Sequence, residues 1–289
     1  MQVSGFTFVR NAMKYDYPII ESINSILPLV DEYIVIAGNS EDETEQLILS
    51  INSPKIKLIK SVWDDSLREG GRVLAEETNK AISHISKNSD WGFYLQADEV
   101  VHERFHPEIV EAMERSKDDR TVDGLLFNYT HFYGSYDFIA DSRKWYRKEI
   151  RIIRPHHGIK SWKDAQGFRK NGEKLNVKNS GASIYHYGWV KPPEFQQAKQ
   201  TYFHSLWHSD NWMKMNIPNV SAFDYSKIDS VSLFHGTHPL SMLNRVANQN
   251  WKVEIDPRQK KLSFRFRVLL LIERITGWRV GEYRNYRLK

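Results

Sequence analysis

The sequence predicts an α/β fold: a mostly parallel central sheet flanked by helices, with a helical extension at the carboxyl end. Three observations carry this. Short apolar runs alternate with helix-like segments across the first hundred residues. The fourth of those runs, WGFYLQADEV from Trp91 to Val100, stops at two acids, Asp98 and Glu99. From about Pro192 the chain reads as helix and loop rich in aromatics. A β-α-β-α-β-α-β order requires right-handed crossovers, which lay helices on both faces of parallel strands.

Val3 to Val9 is the first expected strand. Pro18 suits the first turn of a helix running through Ile26, because the N–H it lacks is not needed there. Tyr33 to Ala37 is the second apolar run, and Ser40 or Asp42 can cap a helix through Leu49. Ile56 to Ile59 alternates apolar residues with lysine, as a half-exposed strand does, and Gly70-Gly71 precede a helix from Arg72 to about Ile85. The Trp91 run is strand four. Further along, a helix is expected around His106 to Arg115. Asp123 to Tyr133 and Trp145 to Arg154 have the β-branched and aromatic content of strands. Phe264 to Thr276 reads as the last helix. With no clear linker, residues 1–191 are expected to form one domain and residues 192–289 a mostly helical extension packed on it.

A chain of 289 residues with 40% hydrophobic content can fill a sizeable core. The absence of cysteine excludes disulfides and thiolate metal sites and suits a reducing compartment. The start lacks the pattern of a signal peptide, and the longest apolar run, Val268 to Ile272, is too short to span a bilayer, so a cytoplasmic location is expected. The net charge of +5 is unevenly spread: the segment from Arg258 onward carries +8 and the rest −3. A basic tail favours anionic surfaces, so peripheral contact with the inner face of the membrane is expected. Nucleic acid is not, because the tail lies apart from the aromatic-rich stretch Tyr129 to Trp212 that would have to stack bases.

Open α/β sheets bind ligands beyond the carboxyl ends of their strands, and a carboxylate there is placed to hold a hard cation. Mg²⁺ needs only one or two such carboxylates when phosphates complete its shell. A solvated acidic turn would read the same way, so context decides. IAGNSEDET follows strand two and LQADEV follows strand four. With both loops in place, the chain resembles family-2-like glycosyltransferases of the GT-A fold, a Rossmann-like architecture. It resembles more closely a bacterial branch with a Gln-Ala-Asp-Glu motif and downstream segments like HFYGSYDF, WYRKEIRIIR, DAQGFR and YHYGWVKPP. The resemblance spans roughly Val3 to Lys191.

The resemblance implies a metal-dependent, inverting glycosyltransferase with a nucleotide-sugar donor and a glycan or lipid-linked acceptor, serving surface polysaccharide biosynthesis. It implies that Asp98 and His186 hold Mg²⁺ or Mn²⁺, or that His186, if protonated, pairs with phosphate. Val9, Arg10 and Asn11 after strand one, Gly38, Asn39 and Asp42 after strand two, and Arg72, Gln96 and Ala97 would seat the donor. Asp164, rather than Glu149, would be the base. On residue type alone, Asp164 suits a turn, Asp42 a helix cap, Arg72 a surface and His186 a packed core position. Ala37 and Gly38 stand where many relatives carry aspartates that read uracil or ribose, so UDP does not follow. The alternatives are a sugar-1-phosphate nucleotidyltransferase, whose loop after strand one is usually glycine-rich while FVRNAMKYDYP has no glycine, and a nucleic-acid-binding module.

Overall fold

The computed structural model describes residues 1–67, 69–217 and 220–289. The expected alternation is present: β1 (Val3–Val9), α1 (Ile19–Ile26), β2 (Glu32–Gly38), α2 (Thr44–Leu49), β3 (Ile56–Ser61), α3 (Arg72–Ser83) and β4 (Trp91–Tyr94). There follow β5 (Glu99–Val101), α4 (His106–Ser116), β6 (Gly124–Tyr133), β7 (Ser135–Ala140) and β8 (Lys148–Ile153). A small separate sheet is made by β9 (Ile159–Trp162), β10 (Gly167–Lys170) and β11 (Glu173–Lys174), after which the long β12 (Asn176–Trp189) returns to the main sheet. The remainder holds α5 (Pro193–Ser205), α6 (Asp210–Asn216), β13 (Val231–Leu233), α7 (Leu243–Ala247), α8 (Phe264–Thr276) and β14 (Arg287–Leu288).

Strands β3-β2-β1-β4 are parallel neighbours, with Phe6 opposite Ile34 on one side and Tyr94 on the other. Their period of two sorts side chains onto two faces, and both faces are covered. Val3, Val9, Val35 and Phe93 pack with Ile23, Ile48 and Ile109 from α1, α2 and α4. Phe6, Ile36 and Tyr94 pack with Val73 and Ile82 of α3 on the other face. Burial on both faces is why β2 and β4 read as continuous apolar runs, whereas the edge strand β3, with Lys57 and Lys60 exposed, alternates.

Beyond β4 the sheet becomes mixed. β8 runs antiparallel to β4, β6 antiparallel to β8, β12 parallel to β6, and β5 antiparallel to β12. The expected parallel sheet is therefore parallel mainly in its first half. Short joints explain the change: β6 and β7 are separated by Gly134 alone, which allows only an antiparallel return. One other expectation needs correction: residues 145–147 form a loop before β8 rather than the start of the strand. The segment beyond residue 192 holds, beside its helices, two short strands, β13 paired with β7 and β14 paired with β12, both extending the main sheet.

The chain leaves β1 toward β2 and β3 on one side and comes back to β4 on the other. At such a reversal the two crossovers diverge, leaving a crevice outside the carboxyl ends of β1 and β4.

Candidate active site

That crevice is a cleft of about 540 Å³, a size suited to a small-molecule ligand. Asp98 enters it just past β4. His186 enters from β12, where the register sets it opposite Glu99 of β5 on one side and His131 of β6 on the other. A bulge follows between His186 and Trp189, and Gly188 lies within it. A Cβ at Gly188 would stand 2.6 Å from both Asp98 Oδ2 and His186 Nε2. Glycine therefore keeps open the space between acid and imidazole.

Hydrogen bonds fix the imidazole's proton. His131 Nε2 lies 2.7 Å from the Tyr146 carbonyl, which can only accept, so this nitrogen carries the hydrogen. Burial pushes His131 down to about 3, so the ring is neutral and its Nδ1 is a lone pair. His186 Nδ1, at 3.1 Å, must then donate to it, which leaves His186 Nε2 bare on the Asp98 side. Burial pushes His186 down to about 4, so the ring is neutral and its Nε2 offers a lone pair rather than a positive charge. Asp98 Oδ1 is 3.8 Å from Nε2, within the span of two ligand bonds to one ion, about 4 Å. A carboxylate and a neutral imidazole form a donor pair that suits Mn²⁺ better than Mg²⁺, which takes oxygen ligands. Among the described residues no cluster of three or more His, Cys, Asp and Glu could hold a metal, so water or phosphate oxygens would have to complete the shell.

A third group at this point was invisible in the motifs. Lys199 of α5 reaches back over the cleft and donates to Asp98 Oδ2 and to the Gly188 carbonyl, each at 2.8 Å. Burial would raise the Asp98 carboxyl, but the Lys199 ammonium outweighs it and holds Asp98 below the usual carboxylate range. The signal in α5 is inverted. Phe195 and Phe203 are exposed while Gln196, Gln197 and Lys199 are buried, so hydrophobic periodicity points the helix the wrong way.

The structure brings seven of the twelve sequence-predicted residues to the cleft wall: Val9, Arg10, Gln96, Ala97, Asp98, Asp164 and His186. Arg10 lies over the Trp63 ring at 5.5 Å. Trp63 is itself a wall residue that the sequence reading did not single out, and its buried Nε1 has no hydrogen-bond partner among the described residues. The other five lie outside the wall. Asn11 accepts from Glu41 N, Asn39 Oδ1 accepts from Trp63 N, and Asp42 accepts from the backbones of Lys14 and Thr44, so these three brace loops. Gly38 packs beneath Trp63, where a Cβ would come within 2.5 Å of the indole nitrogen. Arg72 is exposed at the start of α3. Asp164 sits in the β9–β10 turn between Lys163 and Ala165, both left-handed (φ 55° and 61°), and burial raises its carboxyl pKa. Left-handed backbone at non-glycine residues costs about 1 kcal/mol or more each and persists where the surroundings dictate it.

Glu99 does not face the cleft. Wholly buried, it accepts two bonds of 2.7 Å from Arg151, one from Tyr129 Oη at 2.7 Å and one from Gln96 N at 3.0 Å. It thereby holds the Gln96–Asp98 turn in place. Glu149, on the same strand as Arg151, is buried with Oε2 unpartnered among the described residues. Burial, opposed by Arg151 and reinforced by Glu99 and Asp164, pushes it up to about 8. A carboxyl raised in the folded state contributes stability below its unfolded pKa, and that contribution is lost as pH rises toward 8. Glu149→Gln cannot ionise, so it should gain on the wild type by about 1–3 kcal/mol between about pH 5 and pH 9. Urea unfolding at the two pH values measures this, and a constant difference would refute it.

The site is thus a crevice at the strand-order reversal, with an acid past the fourth strand and a histidine opposite it. No protein-family model matches the chain, and no curated protein does. It is similar to the solved structure of S. aureus TarS at 18% identity, over 70% of this chain and 39% of that one, with a TM-score of 0.39. TarS 1-349 in complex with UDP gives 16%, 71%, 65% and 0.37 for the same quantities. Glucosyl-3-phosphoglycerate synthase from Mycobacterium tuberculosis, in complex with Mn²⁺, UDP and phosphoglyceric acid, gives 20%, 46%, 43% and 0.30. The chain thus spans less than two thirds of each.

Proposed function

We propose that this protein is a glycosyltransferase that takes a sugar from a nucleoside-diphosphate sugar and delivers it, with inversion, to a hydroxyl of a glycan or lipid-linked acceptor. The observation that carries the reading is the convergence of Asp98, His186 Nε2 and Lys199 at the mouth of the crevice between β1 and β4. Asp98 and His186 would hold a divalent cation through Oδ1 and Nε2. Bound there, the cation would offset the negative charge that grows on the departing nucleoside diphosphate. Lys199 supplies a fixed positive charge on the same side, and the aromatic walls Trp63, Trp145, Tyr146 and Trp189 give flat faces for base and sugar rings.

Asp164 serves as the base. Its carboxylate takes the proton of the acceptor hydroxyl, whose oxygen attacks the anomeric carbon while the bond from that carbon to the diphosphate oxygen breaks. Asp164→Asn should lower transfer by about 10²–10⁴-fold with donor affinity unchanged. Because burial raises this carboxyl pKa, wild-type activity should fall on the acid side through a pKa above the ordinary carboxylate value. The variant should lose that limb of the pH–rate profile. A wild-type rate in Asp164→Asn would remove it from the chemistry.

The loop after β1 speaks against a nucleotidyltransferase. The N–H groups of Asn11, Ala12 and Lys14 are taken by Ser40 Oγ, Thr44 Oγ1 and Asp42 Oδ2, so they do not offer a cradle for a triphosphate. Incubation with a panel of nucleotide sugars, against sugar-1-phosphates plus nucleoside triphosphates, tests the reading. Release of nucleoside diphosphate from the first set supports it, and pyrophosphate from the second overturns it.

A further inference from the structure

Helix α8 has two faces of different character. At about 3.6 residues per turn, Phe266, Leu269, Leu270 and Glu273 fall on the side against the body, where all four are half-buried. Phe264, Val268, Leu271 and Ile275 form one line down the opposite side, and Trp278 follows just past the helix end. Their exposures are 82%, 40%, 57%, 74% and 61%. A soluble helix seldom presents such a stripe to water. Arg267 and Arg274 flank the stripe on one side and Arg265 on the other, all exposed.

The helix is held rigidly. Glu273 pairs with Arg143 and, at 2.9 Å, with Arg147. Arg279 donates to the carbonyls of Arg143 and Trp145 at 2.9 and 3.0 Å. The segment so clamped is the 141–147 loop, whose Trp145 and Tyr146 form part of the cleft wall. The outward stripe is thus not a loose end awaiting a place in the core.

We infer that the outer face of α8 is a membrane-docking surface that lies in the headgroup region of an anionic phospholipid bilayer and sets the cleft's Trp145–Tyr146 wall beside it. An apolar stripe bordered by arginines is the pattern of an interfacial helix, with the apolar side entering the acyl boundary and the guanidinium groups reaching phosphates. The charge distribution chooses the lipid: the segment from Arg258 carries +8 while the rest of the chain carries −3, so an anionic surface draws this end and repels the other. Spanning is excluded for α8, since no helix among the described residues is long and apolar enough to cross a membrane. The inference concerns a surface apart from the donor chemistry and is read by binding alone, so it stands or falls separately from the proposed reaction.

The test is co-sedimentation of the full chain with vesicles of phosphatidylcholine alone or mixed with phosphatidylglycerol, at low and high salt, alongside light scattering for oligomeric state. The wild type should partition onto the mixed vesicles, weakly onto phosphatidylcholine, and less at high salt. Leu271→Glu/Ile275→Glu should lose about tenfold or more of that partitioning with an unchanged melting temperature. Arg267→Gln/Arg274→Gln should lose the preference for phosphatidylglycerol. Equal partitioning of the Leu271→Glu/Ile275→Glu variant would overturn the inference. So would a wild type that ignores vesicles and instead forms a dimer that this variant breaks, which would assign the stripe to a second copy.

Discussion

Glu99→Gln should lower the stability of the fold by about 3–5 kcal/mol in urea unfolding, the largest effect expected of any single isosteric change here. The carboxylate is wholly buried and satisfies four donors at once: Arg151 Nε and Nη2, Tyr129 Oη and Gln96 N. Arg151 is equally buried and lies over the rings of Tyr94 and Tyr129 at 5.2 and 5.3 Å. Removing one charge leaves the other in a low-dielectric interior without compensation, which costs far more than the pair contributes when intact. Of a total stability of about 5–15 kcal/mol, this loss is a large part. Replacing both partners, Glu99→Leu with Arg151→Met, should recover part of it, because two apolar groups leave no orphaned charge. A loss below about 1 kcal/mol for Glu99→Gln would show that water reaches the pair.

The first half of the fold was legible because its inner strands bury both faces, its edge strand β3 keeps its lysines in water and its helices bury one face, so residue type follows position. The Trp91 run ending at Asp98 gave the strand, its direction and the acid at its mouth together. The second half was less so. β12 reads NVKNSGASIYHYGW, polar and irregular at its start, and its pairing with β6 is interrupted twice. Nothing local says that His186 lies beside His131, because that adjacency is made by register between strands far apart in sequence.

The charged residues behind the site show the same limit in a sharper form. Arg151 had a signal: an arginine among Ile150, Ile152 and Ile153 needs an acid partner. Glu99 was available, but nothing local says which of the two adjacent acids, Asp98 or Glu99, turns inward. Lys199 had none, since α5 buries its polar side. Gly188 had none either, because the need for a missing side chain arises only from the closeness of Asp98 and His186.

Asp98→Asn should reduce sugar transfer by about 10²–10³-fold, the size expected when one preorganised electrostatic contact to a transition state is lost. The shape is kept, but Oδ1 no longer offers an anionic ligand beside His186 Nε2, and Lys199 loses its counter-charge. The second consequence is structural and separable. Asp98→Asn should be destabilised because a buried ammonium is left unpaired. Adding Lys199→Met should restore stability without restoring turnover, since the ligand is still absent. Recovery of turnover along with stability would mean that the single variant failed only by unfolding.

The most direct measurement is a thermal-shift titration of wild type and of Asp98→Asn/Lys199→Met with a panel of nucleoside-diphosphate sugars, in Mn²⁺ and in EDTA. A ligand that binds only the folded state raises the melting temperature by mass action. At least one donor should raise that of the wild type in Mn²⁺, much less in EDTA, and should leave the double variant unmoved. A shift as large in the variant as in the wild type would contradict a cation held by Asp98 and His186 over the donor diphosphate.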